Sequence, residues 1–290
     1  HWLQLELAKA LHEEADGKLI LGAEMFEADD QIILDEYFSG MISQKNFEKE
    51  AKLWKDYKTD YKPLVDFAKT KQLDFIATNV PRRYASLVSK EGLEALDSLS
   101  PQAKEYFAPM PIEADLDLPG YKAMEEMFHA HGIRDKKEEM EMNKEEEKSE
   151  EKEKNPHQQE NPHKQANPHK KDPHKTKNPH ETKSPHSMHA MKGNQMIKRF
   201  KQAQAIKDAT MAHFIIENFS EGSKFLHFNG TYHSKDFEGI VWFIKRDRSD
   251  LKILTIHSEQ KGDIEDLPED MEGMADFILL TPETMTKTYE

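Results

Sequence analysis

The chain has no cysteine, which excludes disulfides, thiolate metal sites and a cysteine nucleophile, and suits cytoplasm and periplasm alike. No apolar run approaches the roughly 18 residues that a membrane-spanning helix needs, and no secretory signal pattern opens the sequence. Positive charge is in deficit, with 41 Lys and Arg against 55 Asp and Glu and a formal net charge of -14. Nucleic-acid binding needs a basic face whose cations release counterions from phosphate, so the balance argues against that class. An anionic partner would have to meet a local basic pocket. A starting Met is also lacking. His1 leads straight into "WLQLELAKALHEEA", an amphipathic helix already under way with no capping residue before it. The expectation is that an upstream segment, with any export or lipid signal, is missing.

What is present reads as one α/β domain, residues 1–133 and 195–290, interrupted by a low-complexity insertion at 134–194. The insertion starts with "RDKKEEMEMNKEEEKSEEKEK" and continues into "NPHQQENPHKQANPHKKDPHKTKNPHETKSPH". Glu/Lys pairs at helical spacing can carry a solvated helix through the first part. The prolines of the second part remove donors and push the residues before them out of the helical region, so the repeats should be extended and solvated. The repeat is too short and too poor in apolar residues for a solenoid.

On either side the pattern is that of buried strands alternating with helices. "KLILGAEMF", "LDFIATN", "KFLHFNG", "LKILTIHS" and "DFILLT" read as strands. Between them, "DDQIILDEYFSG" should be a helix capped by Asp29 or Asp30, and "SQKNFEKEAKLW" one capped by Ser43. "YKPLVDFAKTK" makes another; short helices start at Pro81 and Lys90, and Tyr121 to Ile133 begins the helix that carries the insertion. "QMIKRFKQAQAIKDATMAHFIIENF" is a long amphipathic helix, and "DFEGIVWFIKRD" a helix near the end. Such alternation indicates a largely parallel sheet flanked by helices, with ligands at the carboxyl ends of the strands. Those ends carry Glu24, Asn79 and the stretch Asn229 to His233.

Four constellations stand out. Glu24 ends a strongly apolar strand, where a carboxylate faces the ligand crevice; capping a helix or pairing with an arginine is the competing structural role. In "IATNVPRRYASLV", Pro81 pre-sets a helix start whose free N–H groups favour an anion. Arg82 and Arg83 add bidentate donors suited to carboxylates, including the propionates of a haem, and Tyr84 offers a phenolate ligand for ferric haem iron. The competing roles here are a structural salt bridge and core packing. In "FLHFNGTYHSKDFEGI", Gly230 permits a tight turn and His233 lies just beyond the strand, placed to bind a metal, support a haem or act as a base. His227 reads as an interior histidine. In "QAQAIKDATMAHFI", Gln204, Asp208 and Met211 recur at helical spacing. Asp208 on an apolar side needs a partner, for which an arginine of "PRRY" is the natural candidate.

The insertion holds six Pro-His pairs, contributing His157, His163, His169, His174, His180 and His186. Neutral imidazoles suit Zn, Ni and Cu, and a flexible tract can wrap a metal or an iron porphyrin. A spacing of five or six residues fixes no geometry, so such sites would be labile. A tolerated solvated linker is an equal alternative.

Taken together, "HWLQLELAKAL", "GAEMFEADDQIILDEYFSG", "WKDYKTDYKPLVDFAK", "IATNVPRRYASLV", "QAIKDATMAHFI" and "LHFNGTYHS" resemble the ChaN-like haem-binding lipoproteins of the Tiki superfamily. The stretches keep the family's order and span nearly everything outside the insertion. The resemblance implies a haem-handling protein of the bacterial envelope, lipid-anchored and facing the periplasm. Its implied partners are haem and an outer-membrane haem uptake system, and it implies a possible homodimer. The residues it points to are Glu24, Asn79, Arg82, Arg83, Tyr84, Asp208 and His233, with Tyr84 and His233 the chemical candidates at iron. Two departures are evident: the family's first strand, ending in a Gly-Glu-x-His-like motif, would lie upstream of His1, and the insertion is outside the family pattern. Two other functions stay open. One is a metal-dependent hydrolase of the Tiki or erythromycin-esterase-like type, with Glu24 as base and His233 as ligand. The other is a divalent-metal buffer working through the histidine tract.

Overall fold

A computed structural model describes residues 1–15, 18–126 and 185–285, with side chains left undescribed over 185–192. The chain divides into two units, His1–Met124 with Met196–Glu290, and Glu125–Gln195. The first unit is an α/β fold in which every strand pairing is parallel. Its central strand β1 (Leu19–Glu27) is buried along its whole length, as a strand covered on both faces must be. It lies between β2 (Asp74–Asn79) and β3 (Lys224–Phe228).

Side chains alternate across the sheet. Leu19, Leu21, Ala23 and Met25 join Phe75 and Ala77 in one core with Ala8, Leu34, Phe47, Leu64, Val65 and Ala68. Those residues come from α1 (Trp2–Glu14), α2 (Gln31–Phe38), α3 (Gln44–Glu50) and α4 (Lys62–Lys71). Ile20, Gly22 and Glu24 point the other way. A second core there packs Tyr84 and Val88 of α5 (Arg82–Glu91) against Ile206 and Met211 of a long helix and Phe243 of a late one. Gly22 is required on that side, because a Cβ would stand 2.6 Å from the Phe225 ring. A short helix α6 (Pro101–Lys104) and a helix α7, described over 119–126, precede the long helix α8 (Pro185–Asn218); α9 is Ile240–Asp247.

Several expectations need adjusting. Ser43 caps α3 through the Asn46 N–H as expected, but neither Asp29 nor Asp30 caps α2 by its side chain. Residues Ala28–Asp30 form a 3-10 turn instead, and both carboxylates are taken by Lys52. Helix α8 starts at Pro185, ten residues before the apolar pattern, consistent with proline's preference for a first helical turn. The strand read from Leu251 begins only at Ile256, giving β4 (Ile256–Lys261), which pairs with β5 (Phe277–Pro282) in a separate two-stranded sheet. Just before it, the side chain of Asp276 holds the Thr255 N–H and hydroxyl.

Candidate functional site

The pairing of β1 with β2 is regular from Ile20 to Ala23 and then slips. Four residue steps along β1, from Ala23 to Glu27, span the distance that two steps along β2 cover from Ala77 to Asn79. Irregularities of this kind re-aim side chains at strand ends. The Asn79 side-chain N–H repairs the broken ladder by donating to the Glu24 carbonyl at 3.0 Å, and Glu24 is left facing α8.

There it enters a buried cluster. One Glu24 carboxylate oxygen accepts the Gly230 N–H at 2.7 Å, and the other lies 3.2 Å from His233 Nε2. On its far side, His233 Nδ1 meets Asp208 Oδ1 at 2.5 Å, and the second Asp208 oxygen accepts the Tyr121 hydroxyl at 2.7 Å. The Gln204 amide lies 3.0 Å and 3.2 Å from the two ring nitrogens. Burial alone would push the Glu24 carboxyl up. The His233 imidazolium and the Gly230 N–H outweigh it and draw the group from 4.5 to about 2. Burial likewise disfavours a charge on His233, but Asp208 and Glu24 together raise it from 6.5 to about 9. Complete burial pushes Asp208 up, against the pull of His233 and the Tyr121 hydroxyl. The His233 cation therefore sits against the charged Glu24 carboxylate, with Asp208, whose carboxyl group burial pushes up, on its other side.

Local backbone makes the close packing possible. Gly239 has φ +53, and a Cβ on it would come within 2.5 Å of the His233 carbonyl oxygen and 3.3 Å of the Asp208 carboxyl carbon. Beside the cluster, His227 is hydrogen-bonded to Thr78 at 2.8 Å and Asn229 at 3.0 Å. Burial lowers it to about 4, so it is the neutral interior histidine that its position on β3 suggested.

The remaining candidates gather at the same end of β1 in a second, ionic group. Arg82 binds Glu27, and Arg83 binds Asp29. Lys52 reaches Asp29 at 2.6 Å, Asp30 at 2.8 Å and Glu27 at 3.5 Å. Three cations thus meet three carboxylates. The arginine side chains remain 65% and 46% exposed, so both keep donors facing solvent. Arg83 also lies 4.4 Å over the Tyr84 ring and donates to its hydroxyl oxygen at 3.3 Å, while Phe107 packs edge-on to the ring. The expected arginine partner of Asp208 is therefore corrected. The arginines of α5 have nearer carboxylates in Glu27 and Asp29, and Asp208 is satisfied by His233 and Tyr121.

Glu24, Asn79, Asp208 and His233 come together, as do Arg82, Arg83 and Tyr84. His157, His163, His169, His174 and His180 lie outside the described residues, and His186 falls in α8 with its side chain undescribed. Tyr121, Lys52, Glu27 and Gly239 escaped the sequence. Only "DFEGI", with a glycine just before a helix, carried a signal for one of them.

Residues 1–244 match the family described as haem-binding uptake, Tiki superfamily, ChaN. The chain belongs to the ChaN family. A solved structure described as cofacial heme binding to ChaN of Campylobacter jejuni is similar with a TM-score of 0.54 at 14% identity, over 95% of this chain and 79% of that one. At that identity the likeness is one of fold, and it agrees with the parallel, helix-flanked sheet of this ChaN-family chain. No curated protein matches it. Among the described residues, no helix is long and apolar enough to cross a membrane.

Proposed function

We propose that this ChaN-family protein binds haem at the carboxyl end of β1 and serves haem uptake in the bacterial envelope. The observation that carries the proposal is the Arg83–Tyr84 pair, a phenol with a guanidinium on its oxygen at the start of α5. That donor set suits ferric porphyrin: the phenol oxygen is an iron ligand, and the guanidinium is a counter-charge for it. The solvent-facing donors of Arg82 and Arg83 suit two propionates. His233 fits a supporting role better than an iron ligand, because Asp208 and Glu24 hold its two ring nitrogens. Haem is the cargo, and the iron chemistry belongs to it. The proposal includes a lipid-anchored, periplasm-facing location, exchange with an outer-membrane uptake system, and a dimer formed around the pigment.

Haemin titration of the purified protein, followed by its Soret band, tests this. Binding should survive deletion of 134–194 and weaken at least about tenfold in Tyr84→Phe, a loss of about 1.4 kcal/mol. A Soret shift from an isolated histidine tract, with none from the deleted core, would overturn the core site.

A further inference from the structure

A cavity of about 620 Å³ opens beside the second core, within the range of about 300–1,000 Å³ usual for small-molecule sites. Leu93 of a 3-10 turn (Leu93–Ser98), Ile112 and Leu116 of the irregular segment before α7, Gln202 of α8 and Trp242 of α9 line it. All of them lie in the first unit, and no strand residue contributes. None of the residues proposed to hold haem lines it either.

Gln202 is 6% exposed, yet its amide has no hydrogen-bond partner among the described residues. A buried polar group in that position ordinarily has a ligand or an ordered water opposite it. Gly92 leaves the amide its room, because its φ is +95 and a Cβ there would stand 3.4 Å from Gln202 Oε1. The amide offers an acceptor and a donor side by side. The Trp242 indole, fixed edge-on against Phe243 at 4.9 Å, gives the cavity an aromatic wall, and Leu93, Ile112 and Leu116 keep the rest apolar.

The mouth carries the exposed Glu113, Asp115 and Arg246. Arg246 is already engaged, with two donors on the Asp247 carboxylate at 2.6 Å and 2.8 Å and a third on the Glu113 carbonyl. Glu94 adds a carboxylate beside Gly92, and Lys201 lies behind Leu116, 3.5 Å from its carbonyl oxygen. Among the lining groups the two carboxylates are therefore the ones left to meet a ligand. They accept hydrogen bonds from hydroxyl groups and repel anions such as phosphates and propionates.

We propose that this cavity binds an uncharged purine nucleoside, with its base against the Trp242 indole and the Gln202 amide and its ribose hydroxyls toward Glu113 and Asp115. A glutamine amide matches the adjacent donor and acceptor that adenine presents at N6 and N7, and a base stacks readily on an aromatic side chain. The site is separate from the proposed haem site and does not rest on it.

Calorimetric titration of the full chain with adenosine tests the proposal, with adenosine monophosphate and ribose as comparison probes. Adenosine should bind one to one, ribose should not bind, and the monophosphate should bind at least about tenfold more weakly, a gap that closes in E113Q/D115N. Gln202→Leu and Trp242→Leu should each weaken adenosine at least about tenfold, or about 1.4 kcal/mol. Urea unfolding of Gln202→Leu should match wild type, since its amide holds no other group of the fold. No heat from adenosine at millimolar concentration, equal affinity for adenosine and its monophosphate, or unchanged binding in both single variants overturns the proposal. Displacement of adenosine by one equivalent of haemin also overturns it, because the cavity then belongs to haem.

Discussion

Replacing His233 with glutamine takes the cation from between the buried carboxyl groups of Glu24 and Asp208 and leaves a hydrogen-bonding side chain in its place. Glu24 falls from 4.5 to about 2, which at about 1.36 kcal/mol per pH unit favours its charged form by about 3 kcal/mol. The rise of His233 from 6.5 to about 9 comes first from Asp208 and then from Glu24, so it contains part of the same interaction and the two are not added. Breaking one member out of a buried pair costs about 3–5 kcal/mol, and H233Q should therefore lose about 3 kcal/mol near pH 7. The pH profile makes the prediction specific. Stability from His233 is complete below 6.5 and fades as pH rises through about 9. Stability from Glu24 is complete above 4.5 and fades as pH falls through about 2. In H233Q, Glu24 and Asp208 face each other without a cation, and taking up a proton relieves them. The gap between variant and wild type should be widest between about pH 4.5 and 6.5, where both contributions are complete, and narrow as pH falls toward about 2 and as it rises through about 9. Urea unfolding followed by tryptophan fluorescence measures it. A loss below about 1 kcal/mol near pH 7, or a gap independent of pH, refutes the charged-cluster description.

Gly239→Ala combines a positive φ with a Cβ 2.5 Å from the His233 carbonyl oxygen. It should cost about 2 kcal/mol or more in the same unfolding assay. Tyr121→Phe deletes the hydroxyl that donates to Asp208, at a cost of about 1–2 kcal/mol; unchanged stability would mean that Asp208 does not need it. Glu27→Gln with Asp29→Asn releases Arg82 and Arg83 from their ion pairs. If propionates compete for those arginines, the haemin dissociation constant should fall about tenfold; an unchanged value assigns the arginines a structural role.

The strands and helices were legible because apolar runs and helical spacing mark them directly. β1 was read nearly to the residue, since a strand buried on both faces has no polar interruption until Glu24. The separate β4–β5 pair was not legible, because strand pairing depends on contacts that no local pattern encodes. The site residues show the same division. Glu24, Asp208 and His233 announced themselves as polar groups in apolar or strand-end settings. Their grouping did not, because it depends on the register slip after Ala23 and on the close approach at Gly239. Pairing Asp208 with an arginine counted charges correctly and missed distance: Glu27 and Asp29 are the carboxylates that Arg82 and Arg83 reach. Lys52 was hidden in an ordinary amphipathic stretch, and only the fold brings it to three carboxylates.

The two clusters divide the labour at one strand end. Glu24 turns inward, where burial and its partners fix a single ionic state and hold β1, α8 and the Gly230 turn in one arrangement. Three residues later Glu27 meets Arg82 and Lys52, where cations and carboxylates balance and the arginines stay exposed. If haem binds here as proposed, its apolar plane and paired carboxylates would meet a buried ionic base and an exchangeable rim. Its carboxylates would replace Glu27 and Asp29 in contacts already made, so the affinity gained is the difference between two sets of ion pairs. Such a difference is small at an exposed surface. If haem binds here as proposed, strong retention would come from the apolar plane and from the proposed iron ligand Tyr84, with the arginines setting orientation more than affinity.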